Sequence, residues 1–226
     1  MPAVPATPKG VRTRALILKA ARRVFARDGY VAARMTDIAD EAALSLGAVY
    51  RYFENKENVF SDLVLDIHEE LFEASRSRAH SLKTDPYGAL YESNLGYLVH
   101  YFENRDVMRT LVEAATVDER FRDQWWLMRN RHVRRFISVA RASFDTDAWS
   151  GVDLELTTEA MACMVEQAAY VWFAHEVVAQ RAVSPEEAAA VLTQAWLRTL
   201  FGESAVAKAG SPRRAVGARA DGRAAR

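Results

Sequence analysis

Residues 36–56 read TDIADEAALSLGAVYRYFENK. The spacing predicts a short helix over Thr36–Ala42 that buries Ile38, Ala39 and Ala42, then a gap of only Ala43 and Leu44. A gap that short is a tight turn. Ser45 is suited to cap a second helix over Leu46–Phe53, because its hydroxyl can accept a hydrogen bond from one of the first free amides. Asn55 then caps a further helix. Two helices joined this way, apolar inside and small or hydroxylated outside, form a helix-turn-helix, whose second helix fits the DNA major groove. Leu46, Gly47 and Ala48 would keep the backbone close to base edges, with Leu or Ala able to touch a thymine methyl. Ser45, Tyr50, Tyr52 and Lys56 would hold phosphates, with Arg51 beside them and Arg34 and Thr36 at the entrance to the first helix.

The stretches on either side are helical too. Before it, Ile17, Ala20, Ala21, Val24 and Phe25 form one apolar stripe of a helix predicted to start near Thr13 and to end at Asp28-Gly29. Residues 1–11, with three prolines and a glycine, read as a mobile arm. After it, Phe60, Leu63, Val64, Ile67 and Leu71 give a helical period extending to about His80. Asp85-Pro86 opens a helix to about Phe102, followed by Val107–Val117, Glu119–Phe144 and Asp153–Gln180. Ser184-Pro185-Glu186-Glu187 is a capping box, and its helix ends near Phe201. Residues 203–226 carry no stripe to bury and are expected to be disordered. The expected fold is therefore all-α with about nine helices: a helix-turn-helix domain over residues 12–55 and a helical body over residues 56–202.

Charge is divided along this plan. Residues 1–60 hold 10 Lys/Arg against 6 Asp/Glu, residues 61–200 hold 14 against 22, and residues 201–226 hold 6 against 2. A basic front on an acidic body directs an anionic partner to one end. Cys163 is the sole cysteine, so no internal disulfide forms. No apolar run has signal-peptide or membrane-span length, and a cytoplasmic protein without a membrane partner is expected.

The run Phe25–Phe60, FARDGYVAARMTDIADEAALSLGAVYRYFENKENVF, resembles the DNA-binding domain of tetracycline-repressor-like (TetR) transcriptional regulators. The matching pieces include Phe25-Ala26, Gly29-Tyr30, Asp37-Ile38-Ala39, Ser45, Gly47, Val49-Tyr50, Tyr52-Phe53 and Lys56-Glu57. The resemblance implies an all-helical homodimer that binds a palindromic operator and is released from it by a small molecule held in the larger domain. Three positions depart from the family's habit. Arg34 stands where a small hydroxyl residue is usual, Ala43 where glycine is usual, and Leu46 where a basic or polar residue is common.

An effector pocket needs apolar walls with a few converging polar groups. Candidate lining residues are Asn94, Tyr97, Tyr101, Phe121, Trp125, Met128, His132, Met164, Gln167, Tyr170 and Trp172, which suit a largely apolar small molecule. The last two long helices carry excess apolar surface, with Trp172, Phe173, Val191, Leu192, Trp196 and Leu200 as the expected homodimer interface. Two-fold symmetry would set the two reading helices about one DNA turn, roughly 34 Å, or a multiple of it apart. No enzyme, metal or cofactor is expected: the five histidines are scattered at 68, 80, 100, 132 and 175, and no phosphate loop or nucleophile elbow occurs. The competing expectation is a helical small-molecule or interaction module that does not read DNA.

Overall fold

The computed structural model describes residues 7–145, 149, 151–174 and 181–202. The expected tail at 203–226, the first six residues and His175 lie outside the described residues. Nine α-helices and no strand occur among those described: α1 (Pro8–Ala32), α2 (Met35–Glu41), α3 (Leu46–Tyr50), α4 (Lys56–Ala74), α5 (Pro86–Glu103), α6 (Arg105–Val117), α7 (Glu119–Ser143), α8 (Leu154–Ala169) and α9 (Pro185–Phe201). A π-helical turn, Tyr170–Ala174, continues α8.

α1 starts five residues before the expected Thr13, which corrects the extent of the arm. Thr7 Oγ1 accepts the Gly10 amide at 3.1 Å and Pro8 takes the first helical position, where its missing N–H costs nothing. The helix is interrupted at Gly29, with φ 75° and ψ 174°. A Cβ there would lie 2.8 Å from a Glu113 carboxylate oxygen, so glycine is required by both conformation and space.

α3 is shorter than expected. The amides of Tyr52 and Phe53 both fold back onto the Val49 carbonyl, at 2.9 and 3.1 Å, and turn Phe53 into the core. α4 ends at Ala74 and does not reach His80. Its last carbonyls are met by α7: Arg135 donates to the carbonyls of Phe72 and Ser75 and to Ser75 Oγ. α5 lies so close to that end that a Cβ on Gly96 would sit 1.9 Å from the Ala74 carbonyl.

Two cores result. The first joins α1–α3 to α4, α6 and α7 through an aromatic cluster: Phe60 lies 4.8 Å from Phe25 and 5.1 Å from Phe121, and Tyr30 lies 5.1 Å from Phe121. Phe25, Phe53, Phe60 and Phe121 are fully buried, and truncating any of them to alanine would cost about 3–5 kcal/mol. The second core joins α5, α8 and α9, with Leu98, Phe173, Leu192, Trp196 and Leu197 at its centre.

Candidate functional site

α2 and α3 form the expected two-helix unit on the surface. The turn between them is closed by the Leu44 amide bonding the Ala39 carbonyl at 2.9 Å. Ala43 has φ 53°, so this alanine takes the left-handed conformation that glycine holds without strain. Ser45 caps α3 as expected, accepting the Ala48 amide at 3.2 Å. Arg34 precedes α2 with its amide held by Asp37 Oδ2 at 3.0 Å, and its guanidinium forms no ion pair with a described residue.

The unit exposes Arg34, Thr36, Ser45, Gly47, Tyr50 and Arg51. Gly47 is open: nothing lies within 4 Å of where its Cβ would be. Leu46 and Tyr52 are half-buried and pack against the first core, which draws them partly away from solvent; Ala48 is also half-buried. Lys56 requires a correction. Its ammonium donates to the carbonyls of Tyr30, Val31 and Ala33 at 2.9, 2.9 and 3.0 Å and lies 4.9 Å over the Tyr30 ring. All three donors are used, so this lysine closes the end of α1 and has none left for a phosphate. Sequence spacing gave no warning, because the carbonyls lie more than twenty residues away.

Most of the α1 basic face is also internally engaged. Arg22 bonds both Asp106 oxygens at 2.9 and 2.8 Å and Asn104 Oδ1 at 2.8 Å, Arg14 pairs with Asp62, and Arg23 pairs with Glu41. The Glu113 carboxylate accepts the amides of Tyr30 and Val31, freed by the break at Gly29, at 3.1 and 3.3 Å. α6 is therefore fastened to α1 at both its ends.

The body holds two cavities that share Tyr97 and Glu166 in their walls. The outer one, about 280 Å³, lies among the residues after α4 and α5, α7, α8 and α9, and includes Asn94 and His132. The inner one, about 430 Å³, lies among α5, α6, α7 and α8 and includes Tyr101, Trp125, Gln167 and Tyr170. Seven of the candidate lining residues are thus brought together. Four are not: Phe121 and Met128 are part of the first core, while Met164 and Trp172 pack against the second. Stripe position marks burial but cannot say whether the buried side chain meets a neighbour or a void.

The arginines of the cavity walls were not among the candidate lining residues, although Glu166 was legible as a polar group on an otherwise apolar helix. Arg129 is almost wholly buried, with Nε on Glu166 Oε2 at 3.1 Å and Nη2 on the Glu159 carbonyl at 2.9 Å. Burial pushes the Glu166 carboxyl up to about 7, although Arg129 pulls it down. Burial also holds the facing rings of His68 and His132, 5.2 Å apart, well below the ordinary imidazole range.

The expected dimer residues divide. Phe173, Leu192, Trp196 and Leu200 are buried inside the protomer, Trp172 is half-buried, and Val191 is exposed. That corrects the four as direct partner contacts, because the second core already covers them. Among the described residues no three His, Cys, Asp or Glu gather as metal ligands, and no helix is long and apolar enough to cross a membrane.

A helix-turn-helix unit fused through a shared core to a helical body with cavities between its helices defines a class of fold. Residues 17–63 match the family model of bacterial regulatory proteins, tetR family. The chain is 33% identical over 78 residues to the HTH-type transcriptional regulator TtgR of Pseudomonas putida, covering 34% of this chain and 37% of that relative. It is 24% identical over 199 residues to the HTH-type transcriptional regulator EthR of Mycolicibacterium smegmatis, covering 87% and 90%. Among solved structures it is similar to the TetR family transcriptional regulator PfmR of Thermus thermophilus, with a TM-score of 0.62, 23% identity and coverage of 88% and 98%. Residues 17–63 are thus similar to the DNA-binding segment of the tetR family, and the fold of the chain is similar to that of solved regulators of that family. The chain spans a little over a third of the length of the curated relatives it matches at 33% identity, and those relatives are transcriptional regulators.

Proposed function

We propose that the protein is a dimeric, sequence-specific DNA-binding transcriptional regulator of the repressor type, released from a palindromic operator when a small molecule enters the body. The observation that carries this is the exposed face of α2 and α3. It presents an open Gly47, a Ser45-capped helix start, Tyr50, and two guanidinium groups, Arg34 and Arg51, without an ion pair to any described residue. Such a face brings small groups to base edges and cations to phosphates.

The two cavities support the effector half of the reading, since each sets polar groups among apolar walls, as a small-molecule site requires. The exposed apolar residues available to a second copy include Val191 on α9, Leu156 on α8 and Val139 on α7. Fluorescence anisotropy with a palindrome from the gene's upstream region tests the DNA half. Salt-sensitive nanomolar binding is expected, and Arg51→Ala lowers the salt slope by about one unit. Weak binding that ignores sequence would favour the helical module that does not read DNA.

A further inference from the structure

The two cavities have an uneven charge. Among the described residues the only carboxylate lining either is Glu166, in the wall they share, whereas the cations are Arg129 in the inner cavity and Arg76 and Arg135 in the outer. Arg76 and Arg135 are engaged elsewhere, by Glu73 and by the end of α4. Arg129 differs. Its side chain is 6% exposed and is fixed in place through Nε and Nη2, yet Nη1 takes part in no hydrogen bond with a described residue.

A guanidinium stays charged at any ordinary pH. Its counter-ion does not. With the Glu166 carboxyl raised by burial to about 7, the partner of Arg129 is only partly ionised near neutrality, and a buried cation without a full partner is costly. Of the groups facing Glu166 from the other elements, Tyr97 and Tyr101 come from α5, Tyr170 from the turn after α8 and Met108, Leu111 and Val112 from α6, while on the outer side α7 brings His132, which burial keeps neutral, and Arg135, which is engaged at the end of α4. The remainder of the inner cavity is Trp125 and Trp126 beside the tyrosines, with the uncharged Cys163 and Gln167. A cationic ligand would add a second positive charge beside Arg129. An anion supplies the missing one.

We propose that the inner cavity takes a largely apolar, flat organic anion, a hydrophobic carboxylate, whose charged end seats on Arg129 between the aromatic walls. This rests on the reading of the body as an effector domain. Seating the anion makes the Glu166 carboxylate the odd charge, so it takes up a proton from solvent as the ligand binds. Affinity is then retained below neutrality and lost as pH rises through the Glu166 midpoint, about tenfold between pH 6 and pH 8.

Isothermal titration of the full chain with 2-naphthoate, 2-naphthylmethylammonium and 2-naphthylmethanol tests this, since all three keep their charge between pH 6 and pH 8. The expected result is naphthoate binding at least tenfold tighter than the ammonium at pH 7, with proton uptake seen in buffers of different ionisation enthalpy. Arg129→Gln abolishes the preference. Should that variant fail to fold, Glu166→Gln keeps the test decisive: naphthoate binds it with an affinity that no longer varies with pH. Equal binding of the three probes, tighter binding of the ammonium, or unchanged pH dependence in Glu166→Gln would overturn the anion proposal and leave the cavity standing as an effector site. Binding of none of the three would overturn both.

Discussion

Replacing Lys56 with methionine separates two roles for the same side chain. The stem and its packing are kept, while three hydrogen bonds to the carbonyls of Tyr30, Val31 and Ala33 and the contact over the Tyr30 ring are lost. A buried charge-assisted bond contributes about 1.5–3 kcal/mol, but Lys56 is half-buried and water can replace part of the loss. The cation–ring contact adds about 0.5–1 kcal/mol. The sum after solvent competition is about 2–3 kcal/mol. For a chain of this length that lowers the thermal midpoint by about 5–10 °C, read by far-ultraviolet circular dichroism. Because the ammonium is already occupied, the salt slope of DNA binding at a temperature where the variant is folded stays at the wild-type value. A variant that melts like the wild type but loses one unit of salt slope would refute the reasoning, placing Lys56 on a phosphate and leaving the end of α1 uncapped.

Ala43→Gly removes a Cβ from a residue at φ 53° and is expected to stabilise the fold by about 0.5–1 kcal/mol, measured by urea unfolding; destabilisation would contradict the left-handed turn. Glu113→Ala leaves the amides of Tyr30 and Val31 without their acceptor, so hydrogen exchange at these two sites accelerates and global stability falls by about 1–2 kcal/mol; unchanged protection would count against the junction. His68 and His132, neutral in the fold because of burial, bind protons more readily once unfolded, so their contribution is full above the unfolded value of 6.5 and is lost as pH falls below it. Glu166 acts in the opposite sense, its raised carboxyl contributing stability that is full below 4.5 and lost as pH rises through about 7. Two imidazoles outweigh one carboxyl, so the thermal midpoint drops between pH 7 and pH 5, and drops further in Glu166→Gln; a midpoint that rises would be inconsistent with these burials.

The helices were legible wherever a cap and a stripe coincided, as at Asn55, Asp85 and Ser184, because both signals are local. Thr7-Pro8 carries the same cap-and-proline signal as Ser184-Pro185 but is masked by the prolines around it. The helix-turn-helix was legible for a further reason: a two-residue gap leaves the chain few ways to turn. What sequence could not show was competition for polar groups across the fold. Lys56 reads as a phosphate contact and Arg22 lies off the apolar stripe of α1, yet each is consumed by acceptors distant in the chain. Phe121 and Met128 share the stripe character of Tyr101 and Trp125, and only the packing decides that the first two fill a core while the others border a void.

α6 is where the two halves of the proposed regulation meet. At 100° per residue, Asp106, Thr110 and Glu113 fall within about 60° of one another, and Met108, Leu111 and Val112 lie on the opposite side. The first group faces α1: Asp106 takes Arg22, Thr110 reaches the Phe25 carbonyl, and Glu113 holds the amides beyond the break at Gly29. The second group lines the inner cavity. A thirteen-residue helix with its hydrogen bonds intact moves as a rod, so a ligand that displaces the cavity side displaces the clamp on α1 by a similar distance. Since α1 shares its core with α2 and α3, the proposed regulation has a shift of α6 carried through that core to the reading face. Linkage then fixes the converse: DNA that holds the reading face in one position must weaken the ligand by the same factor by which the ligand weakens DNA.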